Sequence, residues 1–388
     1  MSLQKEIFEP FERPRVSMFI CGPTVYDYSH LGHARIFIVY DVVARYLKAN
    51  GYVPILILNL TDIDPKIFER AKREQSNYGD IIAKYTNELQ KDLNLLNIHT
   101  VSSFAMVSDY IKQAREHINN MLREGYAYTA SGNVYFDTSR AKDYGSLSHQ
   151  TVDDMLMRRI DLAPNKRNRF DFLVWNGRDK FDVQWESDFG SGIPWWHIQD
   201  SSVAIANFHC RYDIHCGAIE LLYPHHEAHL AQMKVLAKHD KPVKYWVHTG
   251  MVNVDGQKMS KSVGNVVRIR DAALRYGNDL LRLYILSKHY REDIVFDANA
   301  LHVYKDTLRL LQNTLEHLSD SKQDSPDREA RLHIDEFYKA MNDDFDTRKA
   351  LNHLDSLCEG IAKGRIRPSK TLKDNIQKML DILGLTLA

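Results

Sequence analysis

The sequence predicts an α/β fold in which a doubly wound sheet is interrupted by an inserted domain and followed by a helical bundle. Residues 13–22 alternate and are rich in β-formers, residues 33–52 have helical apolar spacing ended by Gly51, and residues 53–60 form an apolar run. This order is typical of a βαβ unit at the start of the chain. Beyond residue 297, helical periodicity continues to the end, which indicates the bundle.

The middle of the chain predicts a departure from this pattern and then a return to it. Helical spacing covers residues 64–96 and 107–124, and residues 126–137 predict a hairpin that turns at Ser131 and Gly132. The loop-rich and tryptophan-rich part that follows, residues 140–195, indicates an insertion. The sheet is expected to resume with a strand at 219–224, a helix at 226–239 and a strand at 243–252.

Composition excludes several classes of protein. The chain has 388 residues, which is long enough for more than one domain, and 51 basic residues balance 51 acidic ones, so no overall field attracts polyanions. Its four cysteines show no paired framework and its N-terminus no export segment, which predicts a reduced, cytoplasmic protein. The most apolar run, VPILILNL, is too short to span a membrane.

The segment SHLGHAR has the features of an anion-binding helix start. His30 and His33 lie three residues apart between the first strand and its helix, where backbone N–H groups and the helix dipole favour a phosphate. Gly32 removes a side chain where a nucleotide could approach the backbone. Considered alone, the segment is explained as well by an ordinary polar helix start.

The segment DGQKMSKSVGN places two lysines on a loop flanked by glycines. Lys258 and Lys261 are three residues apart and can close on a polyphosphate if the loop moves. An ordinary solvated basic loop is the simpler interpretation of two such lysines among serines. Only the combination with the histidine segment favours a nucleotide.

HLGH followed by KMSKS resembles the two signatures of class I aminoacyl-tRNA synthetases. Further stretches are similar, in order, to cysteinyl-tRNA synthetases: FICGPTVYDYSHLGHAR, LNLTDID, EGYAYTASGNVYFD, DYGSLS, WHIQDSS, PHHEAH and GQKMSKSVGN. The resemblance implies a Rossmann-type class I synthetase catalytic domain with an inserted α+β domain and a C-terminal helical bundle. The implied boundaries are 1–96 and 191–253 for the catalytic halves, 97–190 for the insertion, 254–296 for the KMSKS loop and stem-contact region, and 297–388 for the bundle.

This resemblance implies an enzyme that joins an amino acid, cysteine or a related one, to the α-phosphorus of ATP with Mg²⁺, and passes it to the acceptor end of tRNA. Preplaced donors would meet the charge that builds on the phosphoryl oxygens. The implied catalytic residues are His30, His33, Lys258 and Lys261. The same four residues, together with Gly32 and Glu220, are implied to bind ATP. Cys21, Thr61 and Trp196 are implied to bind the amino-acid substrate. A monomer without a membrane partner is expected.

The resemblance also implies a zinc ion that reads the substrate thiol, with ligands at Cys21, Asp200, His225 and His229. Two positions depart from the family, which has cysteine at the position of Asp200 and glutamate at that of His229. The residues present are still zinc ligands, and histidines at i and i+4 share one helix face. The alternative is that the metal is lost and the histidines read a side chain by hydrogen bonds.

Other departures leave three functions open. Cys216 and Ala218 replace glycines near the expected ATP ribose, and Pro65 and Trp195 are also unusual near the pocket. The chain is expected to lack a C-terminal anticodon-reading domain. It is therefore a synthetase that charges tRNA, a tRNA-independent ligase acting on a small amine, as in the mycothiol pathway, or a silent paralogue.

Overall fold

The structure, a computed structural model, describes residues 4–151, 154–155, 165–254, 256–259, 264–318 and 327–387. The chain forms two compact units, each assembled from separate stretches of sequence. Unit 1 consists of Met1–Tyr28, Pro54–Glu88 and Val101–His248, and unit 2 consists of Ser29–Val53, Leu89–Thr100 and Thr249–Ala388. The predicted first domain, residues 1–96, is therefore shared between the two units.

The secondary structure of the described residues follows the predicted alternation closely at the start of the chain. The strands are β1 Arg15–Ile20, β2 Val53–Leu60, β3 Val101–Met106, β4 Ala127–Ala130, β5 Asn133–Phe136, β6 Phe172–Asn176, β7 Ile193–Pro194, β8 Tyr212–Ala218, β9 Val243–Thr249, β10 Val252–Val254, β11 Gln257–Lys258 and β12 Ile294–Phe296. The α-helices are α1 Leu31–Ala49, α2 Pro65–Glu74, α3 Tyr78–Leu95, α4 Ile111–Arg123, α5 Trp196–Phe208, α6 Glu227–Ala237, α7 Ile269–Tyr276, α8 Asn278–Leu286, α9 Val303–Leu318, α10 Arg328–Asn342, α11 Thr347–Ala362 and α12 Lys370–Leu383.

The main sheet of unit 1 has the strand order β3-β2-β1-β8-β9. The pairs β1–β8 and β2–β3 are parallel, with Met18 opposite Ile214 and Leu60 opposite Met106. Every residue of β8 is buried, as expected for a parallel strand covered on both faces. The predicted α/β fold of the Rossmann type is confirmed.

A second, four-stranded sheet in unit 1 has the order β4-β5-β6-β7. Its first two strands form the predicted hairpin, and Ser131 and Gly132 both have positive φ, 51° and 81°, as a two-residue turn of type I′ requires. Strand β3, which lies within the predicted insertion 97–190, pairs with β2 in the main sheet.

Unit 2 contains α1 and the predicted helical bundle. The bundle consists, in the described residues, of α9, α10, α11 and α12, with buried apolar residues at helical spacing, for example Leu372, Ile376, Met379 and Leu383 in α12. Ser369 is the N-cap of helix α12, and its side chain accepts from the Leu372 N–H. The helix ends at Gly384, whose backbone has the left-handed conformation.

The prediction of a strand at residues 219–224 is wrong. Residues Ile219–Leu221 form a 3₁₀ turn and Leu222–His226 a π-helical turn, while the strand lies earlier, at β8. Polar residues interrupt β8, but they are buried because partners satisfy them: the Asp213 carboxylate accepts from the Ser17 N–H at 2.8 Å. In the described residues, no helix is long and apolar enough to cross a membrane.

His117 gives unit 1 a predictable sensitivity to acid. Its Nδ1 lies 3.1 Å from the Ser202 hydroxyl, and burial lowers its pKa from 6.5 to about 4. The unfolded imidazole binds a proton below pH 6.5 and the folded one does not until about pH 4, so this contribution to stability is complete above pH 6.5 and is lost as the pH falls towards 4.

We therefore expect His117→Gln to weaken the acid dependence of folding. Between about pH 7.5 and about pH 5, the wild type should lose roughly 2 kcal/mol more unfolding free energy than the variant, measured by urea denaturation at both pH values. Glutamine can keep the hydrogen bond to Ser202, so stability at the higher pH should change little. Equal losses in the two proteins would contradict the prediction.

Candidate active site and metal centre

Cys21 lies directly beyond the carboxyl end of β1, in the interior of the main sheet of unit 1. Its N–H donates to the Cys216 carbonyl at 3.2 Å, which continues the pairing with β8. The next residue is a glycine for a steric reason, because a Cβ at Gly22 would lie 1.7 Å from the Asn59 carbonyl oxygen. The thiol is thus fixed at the sheet edge where α/β folds bind ligands.

Three imidazole rings and one carboxylate surround the Cys21 sulfur. The Nε2 atoms of His215, His226 and His225 lie 3.2, 3.3 and 3.7 Å from Sγ, and Oδ2 of Asp200 lies 2.8 Å from it. Burial, with the Asp200 charge adding to it, raises the pKa of the Cys21 thiol well above its usual range. The thiol therefore donates its hydrogen to Asp200.

Each of the three rings is oriented by a partner on its other nitrogen. Nδ1 of His225 lies 3.0 Å from Nδ1 of His197, and Nδ1 of His226 lies 2.7 Å from Nε2 of His248. Nδ1 of His215 contacts the Tyr212 hydroxyl. This arrangement points every Nε2 at the sulfur, as outer partners do for histidines that bind metals. Burial lowers the pKa of His215 and His226 well below the usual range, so both rings are neutral, the form that binds a metal.

Asp200 is anchored from both sides of its carboxylate. Oδ1 accepts from the Asn59 amide at 2.7 Å, and Oδ2 contacts His225 Nε2 at 2.9 Å as well as the Cys21 thiol. Burial alone would raise the pKa of Asp200, but the adjacent His225 and its hydrogen bond bring the pKa below the usual range. A buried carboxylate is therefore held ionised beside the sulfur.

His229 is not brought into this group. Its Nδ1 lies 3.0 Å from the Ser201 hydroxyl and its Nε2 lies 2.8 Å from the Tyr212 hydroxyl, so both nitrogens are engaged. The predicted pairing with His225 on one helix face fails because α6 begins only at Glu227, after the π-helical turn. That turn brings the adjacent rings of His225 and His226, rather than those of residues i and i+4, to Cys21.

The donor set fits a metal ion. Among the described residues, one sulfur and two imidazole nitrogens, from Cys21, His225 and His226, lie within 4.8 Å of one another and are buried. Thiolate sulfur and imidazole are the ligands that zinc prefers, and Asp200 adds a carboxylate beside them. A side chain at Gly217 would collide with the group, because its Cβ would lie 2.6 Å from the His226 ring.

Trp196 and Thr61, which are predicted to bind substrate, and Glu220, which is predicted to bind ATP, all belong to unit 1. Trp196 is 39% exposed, and its ring stacks on His225 with centroids 5.0 Å apart, so it covers the centre. Thr61 is buried just beyond β2, where its carbonyl accepts from the Val25 N–H. Glu220 lies in the exposed 3₁₀ turn after β8.

The predicted phosphate residues of unit 2 form the start of α1. His30 is the N-cap: its Nδ1 accepts from the Gly32 N–H at 3.2 Å, while Nδ1 of His33 accepts from the His30 N–H at 3.3 Å. The rings stack with centroids 3.9 Å apart, and a Cβ at Gly32 would lie 3.0 Å from the His30 ring. The side chain of Lys258 and the whole of Lys261 lie outside the described residues.

Comparison with known proteins agrees with the resemblance read from the motifs. The family model described as tRNA synthetases class I (C) catalytic domain matches residues 7–306. The cysteine–tRNA ligase of Thermococcus gammatolerans is 36% identical over 367 residues, which cover 90% of this chain and 76% of that protein. The chain belongs to the cysteinyl-tRNA synthetase family. The cysteine–tRNA ligase of Staphylococcus saprophyticus is 35% identical over 100% of this chain and 86% of its own length.

Solved structures agree at the level of the fold. A methionyl-tRNA synthetase of Mycobacterium tuberculosis in complex with methionyl-adenylate has a TM-score of 0.69 at 14% identity, covering 95% of this chain and 88% of that one. A leucyl-tRNA synthetase of Agrobacterium radiobacter in a ternary complex has a TM-score of 0.70 at 13% identity, covering 97% and 84%. This cysteinyl-tRNA synthetase relative is thus a ligase with the class I catalytic fold.

Several residues of the centre were missed from the sequence. His197, His215, His226 and His248 do not stand at the family's ligand positions, and Asn59 and Tyr212 looked like ordinary strand residues. A signal was present for two of them, because WHIQD and PHHEAH each contain a further histidine beside the expected ligand. No spacing rule could have shown that His215 of β8 faces Cys21.

Proposed function

We propose that this member of the cysteinyl-tRNA synthetase family activates cysteine with ATP and Mg²⁺ and transfers it to the acceptor end of tRNA in the cytoplasm. The observation that carries the proposal is the group of Cys21, Asp200, His225 and His226, a buried site of sulfur, imidazole and carboxylate donors. Such donors can hold a zinc ion, zinc binds thiolate sulfur, and a thiol distinguishes cysteine from the other amino acids of its size.

Adenylate formation would use the start of α1. Because Nδ1 of His30 and Nδ1 of His33 each accept a backbone N–H, the ring hydrogen of each lies on Nε2. Two Nε2–H donors are therefore held in place by the helix cap, without reorganisation, to meet charge on the phosphoryl oxygens. Lys258 and Lys261 remain the proposed cationic partners, and Gly32 and Glu220 the further proposed ATP contacts.

Zinc is the proposed metal of unit 1. Cys21, Asp200 and His225 are the members of the predicted ligand set that lie together, and His229 is the predicted fourth. When bound, zinc supplies a Lewis acid that binds the substrate as its thiolate. Around it, Trp196 stacks on His225, and the Asn59 amide holds the Asp200 carboxylate in place.

A tRNA-independent ligase is the second candidate. The specific observation in its favour is the changed pocket: Asp200 replaces a family cysteine, and Cys216 and Ala218 replace family glycines, although both are accommodated as buried residues. The same adenylate would form, and the acyl group would pass to a small amine instead of a tRNA hydroxyl. The two candidates differ only in the acceptor.

Pyrophosphate exchange with each amino acid in turn tests the activation step. We expect exchange with cysteine to be at least about a hundredfold faster than with serine, because a site built for a thiol leaves its donors unpaired with an analogue that lacks one. Cys21→Ser should abolish the preference, and Cys210→Ser, at an exposed free cysteine, should not change it.

The outcomes separate the candidate functions. Exchange followed by charging of tRNA, without any small amine, supports the synthetase. Exchange without charging, but with transfer to a small amine, supports the second candidate. A preference for another amino acid would replace cysteine in the proposal. If no amino acid supports exchange, the silent paralogue is the remaining candidate function.

A further inference from the structure

We infer that Cys21, His225 and His226 hold the metal, together with Asp200, and that His229, although it stands at a family ligand position, only supports the centre from outside. This inference rests on the proposed function, because it concerns the metal which that function would use. Relative to the ligand set that the resemblance implies, it replaces His229 by His226 and gives His229 a supporting role.

The distances favour His226 as a ligand. Two ligand atoms on one tetrahedral zinc lie roughly 3.3–3.8 Å apart, given zinc bonds of about 2.0–2.3 Å. The Cys21 sulfur lies 3.3 Å from His226 Nε2 and 3.7 Å from His225 Nε2, and all three atoms lie within 4.8 Å of one another. Asp200 Oδ2 lies beside two of them, 2.8 Å from the sulfur and 2.9 Å from His225 Nε2.

The surroundings of His226 hold its ring in this orientation. Its Nδ1 lies 2.7 Å from Nε2 of His248, which leaves its own Nε2 directed at Cys21. Its ring also packs on the backbone at Gly217, where a Cβ would lie 2.6 Å from Cε1. Cys216 and Ala218, on either side of Gly217, have side chains, but the close approach of the His226 ring requires glycine at position 217.

His229 has no nitrogen left for a metal. A continuous chain of hydrogen bonds satisfies it: His215 Nδ1–H donates to the Tyr212 oxygen, and the Tyr212 hydroxyl donates to His229 Nε2. His229 Nδ1–H then donates to Ser201, whose hydroxyl donates to the His197 carbonyl. Coordination through His229 would break this buried chain and leave a buried hydroxyl unpaired.

The charges of the inferred set balance. The Cys21 thiolate and the Asp200 carboxylate neutralise a divalent ion, and the two imidazoles are neutral ligands. Loss of the thiol proton on metal binding frees Oδ2 of Asp200, which currently accepts that proton. A buried centre without net charge avoids the desolvation cost of an unpaired ion.

Zinc content and cobalt absorption of three proteins test the inference. The wild-type chain, His226→Gln and His229→Gln are purified alike, their bound Zn²⁺ is measured by elemental analysis, and Co²⁺ is then substituted to read the thiolate charge-transfer and ligand-field bands. Glutamine is close to histidine in size and can keep hydrogen bonds at either site. We expect Zn²⁺ affinity to fall more than about a hundredfold in His226→Gln and at most about tenfold in His229→Gln, with the cobalt bands retained in the latter.

Gly217→Ala provides a second route that leaves every ligand in place. The added methyl group should displace the His226 ring and shift the cobalt ligand-field bands, whereas Gly256→Ala, where a Cβ meets open space although φ is positive, should leave them unchanged. Circular dichroism checks that each variant folds. Metal loss in His229→Gln with retention in His226→Gln would overturn the inference and leave the proposed function standing. A wild type without bound Zn²⁺ would overturn both the inference and the zinc part of that function, while pyrophosphate exchange would still report on activation.

Discussion

His33→Glu should lower the rate of cysteine-dependent pyrophosphate exchange by at least about 10²–10³-fold, the loss typical of removing one preorganised donor to a developing negative charge. Glutamate is an ordinary capping residue at this third position of a helix and can still accept from the His30 N–H, but an ionised carboxylate has no hydrogen to donate. The start of α1 therefore stays intact while the Nε2–H donor is lost. The rate is measured at saturating ATP, so that weaker binding is separated from slower chemistry.

His302→Asn is the matched control for this substitution. His302 is an exposed histidine in the same unit, in the turn before α9, and its replacement should leave exchange unchanged. An unchanged rate in His33→Glu would remove His33 from the proposed catalytic set. A rate that fell only together with helix content would show that the imidazole acts as a cap alone.

Arg282→Met should lower the free energy of unfolding by about 3–5 kcal/mol, because the buried Asp41 carboxylate loses its fully buried cation and keeps, among the described residues, only the partly exposed Arg45 and Thr100. The Arg282 guanidinium is fully buried in unit 2. It donates to Asp41 Oδ2 at 2.6 Å, to the Leu96 carbonyl at 2.8 Å and to the Leu383 carbonyl at 3.0 Å. One side chain thus joins α1, the end of α3 and the end of α12, and methionine fills similar volume without any donor.

Arg309→Met serves as the control. Arg309 also pairs with an aspartate, Asp306 at 3.3 Å, but its side chain is 73% exposed, so removing it should change the unfolding free energy by less than about 1 kcal/mol. Urea denaturation of the three proteins gives the comparison. Similar stabilities for Arg282→Met and Arg309→Met would show that the buried guanidinium contributes no more than its hydrophobic replacement.

The missed strand shows where periodicity fails as a guide. β8 carries Asp213 and His215 inside a fully buried strand, so its apolar pattern is weaker than that of IELLYP just after it. The polar side chains are tolerated because Ser17 and Cys21, far away in sequence, provide their partners. By contrast, β1, α1 and β2 lie close to their predicted positions, because apolar residues dominate their buried faces although α1 also buries Arg35 and Asp41.

The residues around Cys21 were anticipated in part. The resemblance implies a zinc site of Cys21, Asp200, His225 and His229, and the first three of these side chains lie close together. The resemblance implied His229 as the fourth ligand, and its i, i+4 spacing from His225 made a shared helix face plausible, but the π-helical turn before α6 changes that phase. The backbone path of five residues thus brings His225 and His226 to the sulfur.

By itself, the sequence determined the α/β class, the family and the residue types available for phosphate and metal chemistry, because motifs and periodicity are local properties. Only the tertiary structure decided that His215 and His226 converge on Cys21, that His229 is engaged by Ser201 and Tyr212, and that the histidines of HLGH cap their own helix. Those contacts join residues up to 205 positions apart in sequence. Their geometry depends on strand order and helix phase, which no local pattern encodes.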